Sequence, residues 1–399
     1  MKIKIEKGTA KGEIEAPPSK SYAHRLLICA ALAEGESKID GVSQSADMEA
    51  TLNCIKALGA DFTKTGDSVS IKGGTRGEEI LFDCIESGST LRFFIPIALL
   101  TGRRCKFVGS PRLMQRGTEV YEEVFKGIDV TFEKDESSVR VSGELKPNVY
   151  SLPGNVSSQY ISGLLFALPL LNGDSILNIT TPLESAPYID ITIECLKRFG
   201  VEIVKGESSF YVKGNQKYKP SCERAEGDYS NSAFLDGFNL LGGDVSVLGL
   251  NDSSLQGDKI YLEYYKMLES GVAPTIDLSN CPDLAPVLFA LASFKRGATF
   301  VGTKRLKIKE SDRAEAMKSE LAKFGVDVQI SENSVVVGCG LKPPIAEIFG
   351  HNDHRIVMAT SLLLSLFGGV IDGCEAVSKS YPNFFSDIAK LGIGSEIIK

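Results

Sequence analysis

The chain is 399 residues long, 43% hydrophobic and 24% charged, with a formal net charge of −7. That length accommodates two or three domains with well-buried cores, and the negative balance excludes a general nucleic-acid binder, so any basic site must be a local cluster. Nine cysteines, none in a Cys-x-x-Cys pair, and three histidines suit a reducing compartment and leave little material for a metal site; no metal and no cofactor is expected.

Met1-Lys2-Ile3-Lys4-Ile5-Glu6 alternates in polarity like a strand and lacks the apolar core of a signal peptide. Further on, Pro17-Pro18 forces an extended approach, and Ser19 or Ser21 can cap a helix whose apolar body, residues 26–32, follows at once. Lys20 and Arg25 therefore fall in or beside a first turn whose unpaired N–H groups and dipole already attract anions. Two cations there are unfavourable unless an anion joins them; for this stretch alone, a solvated basic helix end is the simpler reading. The pattern then returns five times. Ser89-Thr90-Leu91-Arg92, Ser157-Ser158-Gln159, Ser230-Asn231-Ser232, Asp283 and Asp353-His354-Arg355 each precede an apolar run predicted to be a helix buried nearly all round. Gly102, Gly173, Gly242, Gly297 and Gly368 stop those runs. The most apolar late stretch, residues 356–371, carries Thr360, Ser361 and Ser365 and is too short to span a bilayer. A soluble cytoplasmic protein with no membrane partner is expected.

A second, amphipathic helix follows each buried one and ends in Gly59, Gly127, Gly200, Gly271, Gly325 or Gly392, at spacings of 68, 73, 71, 54 and 67. Alternating runs such as Ser68-Val69-Ser70-Ile71, Ser138-Val139-Arg140-Val141 and Ser334-Val335-Val336-Val337 read as strands between the helices. A period of about 70 with two helices and several strands means six copies of one α/β unit. Six copies make two three-unit domains, each with three buried helices at its middle and sheets outside. The division is expected near Glu226-Gly227-Asp228, with residues 1–18 and 227–399 in one domain and 19–226 in the other.

The first turns of the buried helices collect Lys20, Ser21 and Arg25, then Ser89 and Arg92, then Ser157, Ser158 and Gln159, then Asp283, then His354 and Arg355. Arg112 and Arg116 lie in the loop 109–117, Lys309-Glu310-Ser311-Asp312-Arg313 opens a second helix, and Lys379 follows Ser378. Helix N-termini, hydroxyls and forked guanidiniums recognise phosphate and carboxylate, and so many cations imply more than one anionic group. Any one arginine would as readily be a surface ion pair, and Asp283 as readily a helix cap. No Gly-x-x-x-x-Gly-Lys-Ser/Thr loop, Gly-x-Gly-x-x-Gly turn or Gly-x-Ser-x-Gly elbow occurs, so nucleotide hydrolysis, dinucleotide redox and serine-hydrolase chemistry lack their fingerprints. Asp283, Glu310, Lys20 and His354 remain for proton transfer: a carboxylate near cations stays ionised, and a crowded lysine can move toward neutrality.

Together, Pro18-Ser19-Lys20-Ser21 through Arg25, Gly88-Ser89-Thr90-Leu91-Arg92, Ser157-Ser158-Gln159, Ser185-Ala186-Pro187-Tyr188, Lys309-Glu310-Ser311-Asp312-Arg313, Asn352-Asp353-His354-Arg355 and Ser378-Lys379 resemble the enolpyruvyl transferase family. The match holds in order and spacing across nearly the whole chain. The resemblance implies an α/β fold of two domains, each of three βαβαββ repeats around buried parallel helices (an inside-out α/β barrel), with the active site in the interdomain cleft. It implies a monomeric, cofactor-free transferase whose partners are shikimate 3-phosphate and phosphoenolpyruvate, joined through a tetrahedral ketal with release of phosphate. On that resemblance Ser21, Arg25, Ser157, Ser158, Gln159, Ser185 and Tyr188 hold shikimate 3-phosphate, and Lys309 also binds substrate. Lys20, Arg116, Arg313, Arg355 and Lys379 hold the phosphate and carboxylate of phosphoenolpyruvate, and Gly88 lines that pocket. Asp283 takes the proton of the attacking 5-hydroxyl, Glu310 or Lys20 protonates the methylene carbon, and His354 stands with them as catalytic. Two segments depart from the family pattern: Arg305 stands where Asn is frequent, and Glu86-Ser87-Gly88-Ser89 replaces the commoner Gly-Asn-x-Gly-Thr form.

Three alternative readings compete with this one. The sister transferase acting on UDP-N-acetylglucosamine uses a Cys as acid in the loop matching residues 109–117, where this chain has arginines and no Cys. A non-catalytic phospho-ligand binder would account for the cations but not for Asp283, Glu310 and His354 beside them. A phosphate cyclase of RNA ends would need a nucleotide cofactor, and this chain is acidic.

Overall fold

The computed structural model describes residues 1–74 and 80–398. The chain divides into two compact units: a contiguous one, Pro18–Glu226, and a split one, Met1–Pro17 with Gly227–Lys399. Apart from the five-residue helix Pro111–Gln115, buried and outer helices alternate along the described residues. Those buried in the cores are α1 (Lys20–Leu32), α3 (Gly88–Ala98) and α5 (Ser158–Ala167) in the contiguous unit. Their counterparts in the split unit are α7 (Tyr229–Leu240), α9 (Ala285–Phe294) and α11 (His354–Phe367). Between and after them run α2 (Ala46–Leu58), α4 (Glu119–Val124), α6 (Ala186–Arg198), α8 (Tyr261–Glu269), α10 (Arg313–Lys323) and α12 (Phe384–Lys390).

Local chemistry explains where these helices begin. Ser87, Ser157, Asp228, Asp312 and Asp353 each accept a backbone N–H of the first turn that follows, the donors a helix start leaves orphaned. The ends differ from expectation for the buried helices. Only α11 meets its glycine directly (Gly368), whereas α3 and α5 tighten first into 3₁₀ turns, Leu99–Thr101 and Leu168–Leu170, ahead of Gly102 and Gly173. The intervening helices behave uniformly: Gly59, Gly127, Gly200, Gly271, Gly325 and Gly392 all have φ between +76° and +110°, the left-handed stop that glycine adopts without a Cβ clash.

In the contiguous unit one sheet plan occurs three times. A buried helix leads into the second of two parallel strands, an outer helix follows, and an antiparallel hairpin completes the sheet in the spatial order first, second, fourth, third. Ile80–Asp83, Cys105–Val108, Ser138–Gly143 and Val130–Lys134 lie in that order, with Ile80 opposite Cys105 and Cys105 opposite Val141. Val149–Leu152, Ser175–Ile179, Ser209–Val212 and Ile203–Lys205 repeat it. The third copy closes the unit on itself: its last strand, Cys222–Arg224, runs parallel beside Glu36–Asp40. Alternate residues of strands such as Val149–Leu152 are buried, so each sheet turns one face to the core. Within that core Phe93 of α3 meets Phe166 of α5 edge-on at 5.4 Å, and His24 of α1 lies 6.4 Å from the Phe93 ring.

The split unit departs from six equal repeats. Thr275–Asp277, Ala298–Val301, Ser334–Val337 and Val328–Ile330 follow the full plan. Another sheet, Ile348–Phe349, Gly369–Asp372, Lys2–Ile5 and Ser395–Ile398, takes its third-placed strand from the N-terminus. The remaining repeat has only Lys11–Glu15 paired in parallel with Asp244–Leu248. After α8 the chain passes through Gly271 straight into Thr275–Asp277 with no hairpin, so five repeats are βαβαββ and one is βαβα. The missing hairpin accounts for the short glycine spacing of 54.

Candidate active site

In the contiguous unit the helix starts hold the expected residues, already engaged with one another. Lys20 Nζ donates to Asp47 Oδ2 at 2.7 Å, with both side chains under 20% exposed. Of the two cations that the sequence places at this helix start, Lys20 is thus already met by a carboxylate of the protein. Asp47 sits in the first turn of α2, where the helix dipole favours a carboxylate. Arg25, 3% exposed, donates from Nε to Thr192 Oγ1 at 2.7 Å, from Nη1 to the Ser21 carbonyl at 2.7 Å and from Nη2 to the Tyr188 carbonyl at 3.0 Å. Two of these three bonds tie α1 to α6, and the third closes back on α1 itself. Burial pulls its guanidinium down to about 10, which leaves it charged at neutral pH.

Ser157 caps α5 through the Gln159 amide, and Ser158 is buried beside it. Gln159 accepts from Arg92 Nη1 at 2.6 Å and donates to Ser89 Oγ at 2.8 Å, while Arg92 Nη2 donates to the Arg116 carbonyl at 3.1 Å. Arg92, which the reading of the sequence did not place among the ligand contacts, is thus the tie between α3, α5 and the Arg116 loop. Its position in a buried first turn was the available signal. A Cβ at Gly88 would lie 2.9 Å from the Arg116 guanidinium. Ser185, with φ of +56°, precedes α6 and is buried.

The split unit gathers a second cluster. Asp283 lies in the 3₁₀ turn Pro282–Leu284 and spends its carboxylate on cations rather than on a helix cap. Oδ1 receives Lys309 Nζ at 3.0 Å and Arg313 Nη1 at 2.7 Å; Oδ2 receives Arg355 Nη2 at 3.3 Å, and Arg355 Nη1 donates to the Asp283 carbonyl at 3.1 Å. Arg313, 1% exposed, also donates to Glu310 Oε2 at 2.7 Å and to Asp353 Oδ2 at 2.9 Å. Lys379 Nζ donates to the Asn352 carbonyl at 2.6 Å, and His354 is buried 3.8 Å from Asp353 Oδ1. Burial opposes the charge of Asp283, but Arg355, Lys309 and Arg313 outweigh it and hold the carboxyl well below its usual range. Burial lowers Lys309, with Asp283 opposing and Arg313 adding to the effect. Three cations here meet three carboxylates, with Lys379 on a backbone carbonyl nearby, so this cluster is nearly balanced; it retains a buried donor, Arg355 Nε, without a hydrogen-bond partner among the described residues. Arg305 donates to the Ser279 carbonyl and is 7% exposed.

A cavity of about 620 Å³ lies at the opposite ends of α1, α3 and α5, lined in part by Glu34, Thr101 and Asn172, and contains none of these residues. Among the described residues no group of three or more His, Cys, Asp or Glu is placed to hold a metal, and no helix is long and apolar enough to cross a membrane.

Two units of buried helices and βαβαββ sheets, with hydroxyls, cations and a carboxylate held ionised near the helix starts, define a two-domain α/β fold whose helix starts gather groups chemically able to bind anions and accept a proton. The family model described as EPSP synthase (3-phosphoshikimate 1-carboxyvinyltransferase) matches residues 5–388, and the chain belongs to that family. It is 42% identical over 415 residues to the 3-phosphoshikimate 1-carboxyvinyltransferase of Clostridium acetobutylicum, covering 98% of this chain and 97% of that protein. The enzyme of the same name from Clostridioides difficile is 38% identical over 424 residues, with 98% and 97% covered. A solved structure of EPSP synthase from Acinetobacter baumannii shares the fold, with a TM-score of 0.80 at 22% identity over 100% of both chains.

Proposed function

We propose that this chain transfers the enolpyruvyl group of phosphoenolpyruvate to the 5-hydroxyl of shikimate 3-phosphate and releases phosphate, a transferase step of aromatic amino-acid biosynthesis. The observation that carries the mechanism is Asp283, kept ionised by Lys309, Arg313 and Arg355 at 3.0, 2.7 and 3.3 Å. An aspartate so placed can take the hydroxyl proton while the surrounding guanidiniums receive a substrate's phosphate and carboxylate.

Ser21, Arg25, Ser157, Ser158, Gln159, Ser185 and Tyr188 are assigned to shikimate 3-phosphate, with Lys309 a further substrate contact. Lys20, Arg116, Arg313, Arg355 and Lys379 are assigned to phosphoenolpyruvate beside Gly88. The hydroxyl oxygen attacks C2 of phosphoenolpyruvate as Asp283 removes its proton, and Lys20 or Glu310 delivers a proton to the methylene carbon. The resulting ketal carries both phosphates, and the cations stabilise it. Removal of a methyl proton then re-forms the double bond as phosphate leaves. Since Asp283, Glu310 and Asp47 already occupy the cations, the anionic groups of the substrates must exchange with these carboxylates on binding. That exchange frees Asp283 as a base only once substrate has arrived. We take His354 to support this cluster and the chain to act as a cytoplasmic monomer.

The test is phosphate release from phosphoenolpyruvate, expected to require shikimate 3-phosphate and no added metal. Release driven by UDP-N-acetylglucosamine, or by neither acceptor, would overturn the assignment. Asp283→Ala is expected to cut kcat by about a thousandfold while dissociation constants change by less than about tenfold; equal losses in both would reduce Asp283 to a binding residue.

A further inference from the structure

Among the buried carboxylates of the split unit that no step above uses is Glu320. Glu320 lies on α10 two turns beyond Arg313 and so on the same helix face. Its side chain is 1% exposed, and a carboxylate withdrawn from water needs donors. It has three: Lys323 Nζ at 2.6 Å and the Phe349 amide at 2.9 Å donate to Oε2, and His351 Nε2 lies 2.8 Å from Oε1. Lys323 Nζ also donates to the Glu347 carbonyl at 2.9 Å. One face of α10 thus grips the segment before α11 twice, through Glu320 at 347–351 and through Arg313 at Asp353.

The gripped segment is strained. His351 and Asn352 are consecutive non-glycine residues, each with φ of +51°, a left-handed conformation that L-residues adopt at a cost and usually singly. Capping a helix with Asp does not demand this: Asp228 and Asp312 cap α7 and α10 with no left-handed non-glycine residue in the two positions before them. What the turn does achieve is placement. The Asn352 carbonyl accepts from Lys379, Asp353 accepts from Arg313 and from the Arg355 amide, and His354 and Arg355 follow at once. A turn free to relax to negative φ would carry the cap, Arg355 and the Lys379 contact with it.

We propose that Glu320 and His351 are positioning residues for the anion-binding cations: their bond holds the strained 351–352 turn and so fixes Arg355 and Lys379. The identity of the anion as phosphoenolpyruvate rests on the functional reading above; the clamp itself does not. H351N keeps a residue tolerant of positive φ but is too short to reach Glu320, whereas H351Q keeps a side-chain donor. H351N is expected to raise KM for phosphoenolpyruvate about tenfold with KM for shikimate 3-phosphate within about twofold of the parent, and H351Q to recover most of the loss. Amide hydrogen exchange over residues 349–355 of the unliganded protein is expected to quicken in H351N and stay near the parent's rate in H351Q. A parent protein inactive with both substrates would sink the functional reading alone, and the exchange rates would still judge the clamp. The proposal is overturned by unchanged exchange in H351N, by parallel rises in both KM values, or by H351Q behaving like H351N.

Discussion

His24 shows how a buried side chain without an assigned ligand contact can still serve the site. It is 1% exposed, its Nδ1 lies 2.6 Å from Thr51 Oγ1, and the Thr51 and Thr90 hydroxyls are 2.8 Å apart. Thr90 donates to Ser87 Oγ at 2.8 Å, so hydroxyls run from α1 through α2 to the cap residue beside Gly88. Burial, then Lys20 and Arg25, hold the imidazole well below its ordinary range. A depressed pKa means that the stability His24 supports is present above its unfolded value of about 6.5 and is lost as pH falls below it. The loss approaches about 1.4 kcal/mol per pH unit for one proton. His24→Gln is expected to flatten the fall in urea midpoint between about pH 7 and pH 5.5; an undiminished fall would place the acid sensitivity on other groups. Gly88 is the complementary case. The three atoms nearest a Cβ there all belong to the movable end of Arg116, so Gly88→Ala is expected to fold normally and to raise KM for phosphoenolpyruvate about tenfold by displacing that guanidinium. Thermal melts and steady-state kinetics together check both halves of that statement.

The helix–glycine module owes its regularity to backbone sterics. Each outer helix ends where glycine alone adopts a left-handed φ cheaply, and at Gly271, with φ of +84°, an added Cβ would meet nothing within 4 Å. Gly271→Ala therefore isolates the backbone term and is expected to cost about 1–2 kcal/mol in urea denaturation. A cost near zero would mean that the helix end relaxes instead. The strained positions follow a different rule. Of the described non-glycine residues with positive φ, Ile85, Ser185, His351 and Asn352 lie just before α3, α6 and α11, and only Asn215 is elsewhere. Strain is thus concentrated just ahead of helix starts, held by bonds such as Ile85 N–H to Asp83 Oδ1 at 2.9 Å and Glu320 to His351.

Across the chain as a whole, the two units differ in how they are specified. The contiguous unit contains every strand of its three sheets. The split unit instead sets Lys2–Ile5 between Gly369–Asp372 and Ser395–Ile398, so one of its sheets depends on both ends of the chain. Residues 18–226 alone are expected to unfold cooperatively, whereas residues 227–399 alone are expected to give no cooperative transition until residues 1–17 are supplied. Calorimetry of the separate fragments tests this, and a sharp transition in 227–399 by itself would contradict it.

Much of this molecule was readable because its repeat is written in local terms. Apolar runs behind polar caps, alternating strands and recurrent glycines act over a few residues, so the period, the helix order and the strand runs all emerge from the sequence. Even the spacing of 54 carried the missing hairpin, although its meaning required the sheets. Charge partners were not readable in the same way. Asp47 is 27 residues from Lys20, and Asp283 is 72 from Arg355, and nothing in their local stretches distinguishes an ion pair from a cap or a bare cation. The left-handed turn at His351 and its hold on buried Glu320 were equally invisible. Backbone preferences are set by neighbours along the chain, whereas the state of a charge depends on what folding carries beside it. The sequence therefore established the repeat and which residue types gather at the helix starts, and the packed structure alone decided which charges are paired, and by what.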